Sequence, residues 1–339
     1  MIAMSLRCLA LLAFILAAPA VAGKTTTLKI ATIAPDGTGW MLAMREGAKE
    51  IASRTDGRVK FRFYPGGIMG NDKSVLRKLR IGQLHGGAIT GGGLALIDPN
   101  TQVYSMPFTF RTENEIDYAR ARMDPVLIES LKDAGFVTLG FVEGGFAYLM
   151  SVAPVHGMQD LQGRKVWIPE GDDINRAVFE DMSISPIPLP LPDVLTGLQT
   201  GLIDTVGASA IGAIALQWHT RIKYVTDTPL VYLHGALLVD KRAFSKLDAK
   251  DQAVVREVMT EIATRLKRET RLDDKKARQA LQDQGITFVT PSRETDMKLH
   301  ESVAGTADRL AKEGVVPLPL LEQLRAHLDD YRRTAGAAP

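Results

Sequence analysis

The residue types that most often carry out catalysis are scattered along this 339-residue chain. Its 6 histidines form no His-x-x-x-His or Glu-x-x-His pair that could bind a metal ion. No Gly-x-Ser-x-Gly elbow occurs, and Cys8 is the only cysteine. The glycine-rich residues 86–93 lack a phosphate-binding lysine and a capped helix behind them. The sequence therefore favours a binding protein that is not an enzyme and has no metal or cofactor.

Three carboxylates stand close together at Glu170, Asp172 and Asp173. Such a group could bind a cation through its oxygens. A helical pattern begins directly afterwards at Ile174, and an aspartate in that place caps the helix and favours its positive end. We interpret Asp172 or Asp173 as a helix cap, with a calcium-bridged ligand as the alternative.

The elements that would position a site alternate between short apolar runs and amphipathic stretches, which is typical of α/β units. Residues 27–32, 58–64 and 86–90 are predicted strands of a first block, and 165–168, 184–189 and 205–208 of a second. Residues 232–239 form a strand that crosses back to the first block. The helical stripe at 248–284 would reach about 55 Å, which exceeds one lobe.

This order predicts an α/β fold with two lobes, hinge strands and a long helix that spans both lobes. The first lobe would contain residues 23–150 and about 236–265, and the second 151–235 and about 266–339, with helix 248–284 shared. In such folds ligands bind between the lobes, at the carboxyl ends of the strands, and closure about the hinge buries them.

The N-terminus has the pattern of a secretory signal peptide over residues 1–22. Arg7 precedes an apolar run at 9–18, and the small residues Ala20 and Ala22 indicate cleavage near Ala22/Gly23. A retained membrane anchor is the alternative. With 41 basic and 39 acidic side chains, the chain gives no reason to expect a nucleic-acid partner.

Several motifs in a shared order resemble the DctP-type substrate-binding proteins of tripartite ATP-independent periplasmic (TRAP) transporters. They are the turn Pro35-x-Gly37-x-Gly39-Trp40 after the first strand, and residues 63–72 (FYPGGIMGND), 106–111 (MPFTFR), 160–169 (DLQGRKVWIP) and 194–204 (VLTGLQTGLID). The resemblance implies a periplasmic receptor that delivers a small-molecule ligand to TRAP membrane permease subunits. A tetratricopeptide helper protein is a further possible partner. A ligand-sensing or enzymatic module on the same fold is the alternative.

The resemblance also implies where a ligand carboxylate would bind. Typical members use two arginines and an asparagine, and in this chain the matching positions are Trp167, Ala147 and Ala208. All three polar groups are missing, so the chain resembles an atypical branch without the carboxylate-binding arginines. We expect a larger, mainly apolar or lipid-like ligand, because a carboxylate would enter the closing cleft unpaired.

Around Trp167 we expect a lining of aromatic and small residues, in which Gly91 and Gly92 would open space. Trp40 is equally consistent with a core position, and Trp218 with a surface position. The expected ligand-binding residues are Trp40, Tyr64, Gly91, Gly92, Phe146, Ala147, Tyr148, Trp167, Pro169, Ala208, Ser209 and Trp218.

The alternative is an ordinary organic-anion receptor with relocated cationic groups. In that case Trp167 packs in the core and other cations bind the anion. The candidates by sequence are Arg45, Arg111, Lys165 and Arg176.

Overall fold

The computed structural model describes residues 25–336. The predicted signal peptide and its cleavage site lie outside these residues. No helix within them is both long and apolar enough to cross a membrane.

The described chain contains both helices and strands throughout its length. The strands are β1 (Thr26–Thr32), β2 (Val59–Tyr64), β3 (Gly86–Thr90), β4 (Phe136–Ser151), β5 (Trp167–Pro169), β6 (Ile187–Leu189), β7 (Thr205–Ala208), β8 (Tyr224–Thr226), β9 (Val231–Asp240) and β10 (Thr287–Val289). The helices are α1 (Gly39–Arg54), α2 (Asp72–Arg80), α3 (Gly91–Ala95), α4 (Glu113–Asp133), α5 (Asp173–Asp181), α6 (Val194–Thr200), α7 (Ala210–Ala215), α8 (Lys241–Phe244), α9 (Ala249–Asp283), α10 (Arg293–Lys312) and α11 (Leu318–Gly336).

Eight of the strands form one mixed sheet that runs through both lobes. Its order is β10-β8-β4-β9-β3-β1-β2, and β7 also pairs with β4. In the first lobe β1 is parallel to β2 and β3, whereas β9 is antiparallel to β3 and β4. The second lobe adds β5 and β6, which join β7 through a bridge between Val166 and Thr205. This arrangement confirms the predicted α/β fold.

The long helix α9 joins the two lobes, as predicted. Its first half places Val255, Met259 and Ile262 in a core cluster with strands of the first lobe. Its second half places Ala277 and Leu281 in the core of the second lobe. The helix begins after Asp248, whose side chain accepts a hydrogen bond from the Asp251 N–H at 2.8 Å.

Two local predictions differ from the structure, and one long helix is not predicted. The sequence predicts two strands, at 136–141 and 146–152, but β4 is continuous because its glycines are absorbed by register shifts in the pairing with β9. Pro125 is predicted to start the second part of a helix over 113–134, and it lies inside the continuous α4. Helix α10 is the one long helix that no sequence prediction covers.

Helix α11 packs against the first lobe, although about 266–339 was assigned by sequence to the second. Leu324 and Leu328 lie in the same core cluster as the α4 residues Met123 and Leu127. Arg332 also donates to the buried Glu115 of α4 at 2.7 Å. We therefore propose that residues 318–336 belong to the first lobe.

Among the glycines of β4, Gly140 lies closest to helix α9. A Cβ at this position would lie 2.8 Å from the Ala263 Cβ. Gly140→Val is therefore expected to lower the free energy of unfolding by about 1–3 kcal/mol, because the added side chain forces the helix away. Urea denaturation measures this change.

Gly305→Ala in α10 is the matched control, since a Cβ there meets nothing within 4 Å. It should leave stability unchanged or raise it by up to about 1 kcal/mol. Equal stability of Gly140→Val and the wild type would show that the contact between α9 and β4 is not tight.

Candidate functional site

The two lobes touch across the mouth of the cleft through the loops that follow their strands. The Asn71 side-chain amide, after β2, donates to Glu170 Oε2, after β5, at 2.8 Å. A Cβ built on Gly67 of the same first-lobe loop would lie 3.4 Å from the Pro192 Cγ of the second lobe. These contacts define a closed arrangement of the lobes around the residues predicted to bind a ligand.

Trp167 packs in the hydrophobic core of the second lobe and is only 5% exposed, which is the position that the organic-anion alternative expects. Its indole Nε1 donates to the Leu189 carbonyl at 3.0 Å, and its ring meets the Trp218 ring edge-on at a centroid distance of 5.2 Å. Trp218 is also buried, so its expected alternative as a surface residue is wrong. The two indoles therefore form a rigid apolar unit, and the single polar atom of Trp167 is already used.

Ala147 and Ala208 lie on the adjacent strands β4 and β7. Tyr148 pairs with Ala208 across these strands, and both alanines are buried. Ala208 and Trp167 share the same core cluster. None of the three positions therefore carries a polar side chain that is free for a ligand.

The other predicted residues are distributed over both sides of the cleft. Ser209 caps α7, with its hydroxyl accepting from the Gly212 N–H at 3.3 Å, and Pro169 ends β5 at the surface. A Cβ on Gly91 would collide with the His234 ring at 2.7 Å, whereas one on Gly92 would meet only the Thr90 hydroxyl, at 4.0 Å.

The aromatic candidates other than Trp167 and Trp218 lie in four locations. Phe146 packs at 6.4 Å from the Tyr232 ring in the hinge region, and Tyr64 packs against the first-lobe core. Tyr148 faces the second-lobe part of α9. Trp40 instead lines a separate apolar cavity between α1, β4 and α9, where its Nε1 is buried without a hydrogen-bond partner. The structure does not bring Trp40 together with Trp167.

An apolar cavity lies on the opposite face of the second-lobe sheet from Trp167. Leu230 lines this cavity, and its N–H donates to the Ala147 carbonyl at 2.8 Å. Phe108, with a positive φ of 54°, contributes a ring from the first-lobe loop that precedes α4. The remaining apolar walls come from Leu149, Leu161, Val178, Phe179 and Met182.

The cations suggested by sequence have other partners or lie in solvent. Arg45 pairs with Asp36 at 2.9 Å, and Lys165 Nζ donates to the Gly201 carbonyl at 2.6 Å. Arg176 lies 3.7 Å from Asp173, and Arg111 is exposed. These contacts give no support to an anion site built from the four residues.

Sequence reasoning missed Arg278, which reaches Tyr148 from α9. Its guanidinium lies 4.7 Å from the centroids of the Tyr148 and Phe288 rings, and Nη2 donates to Asp227 at 2.7 Å. Nη1 is buried and has no hydrogen-bond partner. The sequence feature that could have identified Arg278 is its position on α9, between the buried residues Ala277 and Leu281 that face the second lobe.

Asp274, one turn before Arg278, was also missed. Its Oδ1 accepts from the Ile211 N–H at 3.0 Å, at the amino end of α7. A Cβ on Gly145 in the hinge would lie 3.8 Å from the Asp274 carboxyl carbon. Burial raises the pKa of Asp274, against the lowering effect of its hydrogen bonds with Ile211 and Ala210. The carboxyl group of Asp274 thus lies at the amino end of α7, the helix that follows Ala208 and Ser209.

The carboxylates after β5 behave as a cap rather than as a cation site. Asp172 Oδ1 accepts from the Asn175 N–H at 3.0 Å, which is the expected cap of α5. Among residues 25–336, no group of three or more His, Cys, Asp or Glu side chains has the geometry of a metal site.

The two lobes, the crossing strands and the cleft between them define a hinged solute-binding protein. A family model described as "Bacterial extracellular solute-binding protein, family 7" (DctP) matches residues 30–313. The chain belongs to this family, which confirms the resemblance seen in its motifs. It is a solute receptor and not an enzyme.

Curated relatives are similar over most of their length. A solute-binding protein of Verminephrobacter eiseniae is 29% identical over 275 residues, covering 80% of this chain and 81% of the relative. The 2,3-diketo-L-gulonate-binding periplasmic protein YiaO of Escherichia coli is 24% identical over 246 residues, covering 71% and 74%.

Solved structures share the fold at lower identity. The sugar acid binding protein DctPAm of Advenella mimigardefordensis, in complex with galactonate, has a TM-score of 0.84 at 19% identity, covering 91% of this chain and 99% of that one. A TRAP periplasmic solute-binding protein of Sulfurospirillum deleyianum, with bound succinate, has a TM-score of 0.82 at 19% identity, covering 89% and 99%.

Trp167→Ala is expected to lower the free energy of unfolding by about 3–5 kcal/mol, because it empties a large site beside Trp218. Trp167→Phe keeps most of the ring and should cost less, mainly through the lost hydrogen bond to Leu189. Urea denaturation followed by circular dichroism compares the two. A loss below about 1 kcal/mol for the alanine variant would contradict the buried position.

Asp72→Asn is expected to remove a pH dependence of stability. Burial raises the pKa of Asp72 to about 6 from 3.8, although the Thr90 hydroxyl donates to it. The folded state therefore binds this proton more tightly than the unfolded state. Protonation of Asp72 therefore stabilises the folded state fully below about pH 4. This stabilisation, about 3 kcal/mol in the free energy of unfolding, is lost as pH rises through 6.

The measurement is urea denaturation of both proteins across this pH range. The stability of the wild type minus that of Asp72→Asn should fall as pH rises. Asp36→Asn is the control, because that carboxylate is exposed and Arg45 lowers its pKa. A constant difference for Asp72→Asn would show that its carboxyl is not destabilised by burial.

Proposed function

We propose that this protein is a periplasmic receptor that binds a mainly apolar ligand, such as a lipid-like molecule, and delivers it to a TRAP-type membrane permease. The observation that carries the ligand class is the apolar character of Trp167, Ala147 and Ala208. All three are buried, and the one polar atom among their side chains donates to a backbone carbonyl.

The missing arginines make a dicarboxylate a poor ligand for such a cleft. A charge-assisted hydrogen bond contributes about 1.5–3 kcal/mol, so losing two reduces affinity by orders of magnitude. A carboxylate left unpaired in a closed cleft costs several kcal/mol more. The other polar groups at the mouth, such as Asn71 and Glu170, bond to each other.

Asp274 adds a further argument against an anionic ligand. Its carboxylate occupies the amino end of α7, next to Ser209 and the hinge residue Gly145. That helix end would otherwise offer free N–H groups to an anion. An acid in this place satisfies these donors and repels a ligand carboxylate, whereas it leaves a neutral ligand unaffected.

An apolar ligand would gain affinity from burial, at about 25 cal/mol per Å² of apolar surface. The aromatic rings of Phe146, Tyr148 and Tyr64 supply apolar surface on both sides of the hinge. Gly92 leaves open space at the floor of the first lobe. A few polar groups would then fix the orientation of the ligand.

The second candidate is an organic-anion receptor in which a relocated cation replaces the lost arginines. Relatives are described with 2,3-diketo-L-gulonate, galactonate or succinate, so anions are common in this fold. The specific observation in favour is Arg278, whose buried Nη1 lacks a hydrogen-bond partner beside Tyr148. Arg278 is the cation that this alternative requires.

The remaining parts of the proposal concern export and partners. The signal pattern of residues 1–22 supports cleavage near Ala22/Gly23 and release into the periplasm. Membrane permease subunits would then receive the ligand, and a tetratricopeptide helper protein would be an additional partner. Co-isolation of the tagged protein with solubilised permease subunits tests the delivery step.

Native mass spectrometry of the purified protein, followed by extraction and identification of the bound molecule, tests the ligand class. We expect a mainly apolar ligand without a pair of carboxylates. Arg278→Met should retain this ligand, because the proposed contacts are apolar. Recovery of a four- to six-carbon dicarboxylate or a sugar acid, lost in Arg278→Met, would overturn the proposal and support the second candidate.

A further inference from the structure

Glu143 is a buried carboxylate held between two guanidinium groups at the hinge. Its side chain is 3% exposed. Arg120 Nη1 donates to Oε1 at 2.9 Å, and Arg271 donates to Oε2 from Nε at 2.9 Å and to Oε1 from Nη2 at 3.0 Å. Both carboxylate oxygens are therefore used by charged donors, which are the strong class of hydrogen bond.

These three residues connect four structural elements. Arg120 comes from α4 and also donates to the Tyr232 hydroxyl on β9 at 3.0 Å. Arg271 comes from α9 and also binds Asp117 of α4 in a bidentate pair at 2.7 and 2.9 Å. Glu143 itself lies on β4. We call Glu143, Arg120, Arg271, Asp117 and Tyr232 the hinge clamp.

The hinge clamp lies at the level where the strands pass from one lobe to the other. The pairing of β4 with β9 shifts register between Glu143 and Gly145, directly after the clamp. Gly145 has a φ of 80°, which a residue with a side chain rarely adopts. Gly144 and Gly145 thus follow the clamp residue Glu143 directly in β4.

Helix α9 changes lobes at the same level. Arg271 binds Asp117 of the first-lobe helix α4, as does Lys267 one turn earlier. Asp274, three residues later, accepts from Ile211 of the second lobe, and Arg278 pairs with Asp227. The crossing in α9 therefore lies between residues 271 and 274, beside the glycines of β4.

We propose that Glu143 is a positioning residue for ligand capture, which fixes β4, β9 and α9 to the first lobe and confines the rotation of the lobes to Gly144–Gly145 and to residues 272–273. The inference rests on the receptor function proposed above. A buried group of paired ions often stabilises a protein no more than apolar residues of the same volume would. In some proteins it instead fixes the relative geometry of the elements that it joins. The clamp has that character, because each charged group has a defined partner on another element.

The test measures the distance between the lobes in ligand-free protein, by pulsed electron resonance of two spin labels. Cys8 is the only cysteine and lies in the predicted signal peptide, so the chain from Gly23 onwards has no background labelling site. Ile81→Cys in the first lobe and Leu202→Cys in the second carry the labels, because both residues are exposed. Bound ligand is removed beforehand by unfolding in guanidinium and refolding.

Glu143→Gln is expected to broaden the distribution of distances between the two labels, because rotation of the lobes is no longer confined to the glycines. Arg271→Lys keeps the charge but loses the planar fork, and should show a weaker change of the same sign. If Glu143→Gln does not fold, Arg271→Lys carries the test.

Arg265→Met is the matched control. Arg265 lies on the same helix and pairs with Glu46 of α1 at 2.7 Å, within the first lobe and away from the hinge. It should leave the distribution unchanged, whatever its effect on stability. If Glu143→Gln and Arg271→Lys behave like Arg265→Met, the hinge clamp is only a structural element. This outcome is independent of the ligand class, because no ligand is present.

Discussion

The rest of the structure depends on the continuous antiparallel pairing of β4 with β9. This pairing runs from Phe136 opposite Asp240 in the first lobe to Ala147 opposite Val231 at the second. Beyond it, β4 alone continues and pairs with β7 and β8. Because two hydrogen-bonded strands cross together, the lobes cannot move independently, and any change in their angle must be absorbed where the register shifts. The cleft residues lie on both sides of that point.

Three charged groups are paired at this crossing. Glu143, Arg120 and Arg271 satisfy one another. In contrast, Trp167, Ala147 and Ala208 present no free polar atom. The chain therefore separates two tasks. In the proposed receptor, directional, charge-assisted bonds hold the hinge, while contacts of the ligand with the cleft would be apolar and non-directional.

The sequence was sufficient for the fold because its evidence is local and repeated. Alternating strands and helices, the capping residue Asp248 and an uninterrupted stripe on α9 each depend on neighbours in the chain. The direction of a side chain depends on partners far away in sequence. Trp167 was correctly located on a strand, but only Trp218 and Leu189 show that its ring is buried and its Nε1 is used.

Long-range charge pairing explains why the hinge and Asp274 could not be found by sequence. Arg271 and Glu143 are 128 positions apart, and Asp274 reaches Ile211 across 63. No periodicity relates such residues. Burial of apolar surface in a cleft favours closure, but it is non-directional and does not by itself define the angle between the lobes. In the proposed receptor, that angle must be set outside the cleft, and the residues between β4 and α9 are the ones whose geometry is fixed strongly enough to set it.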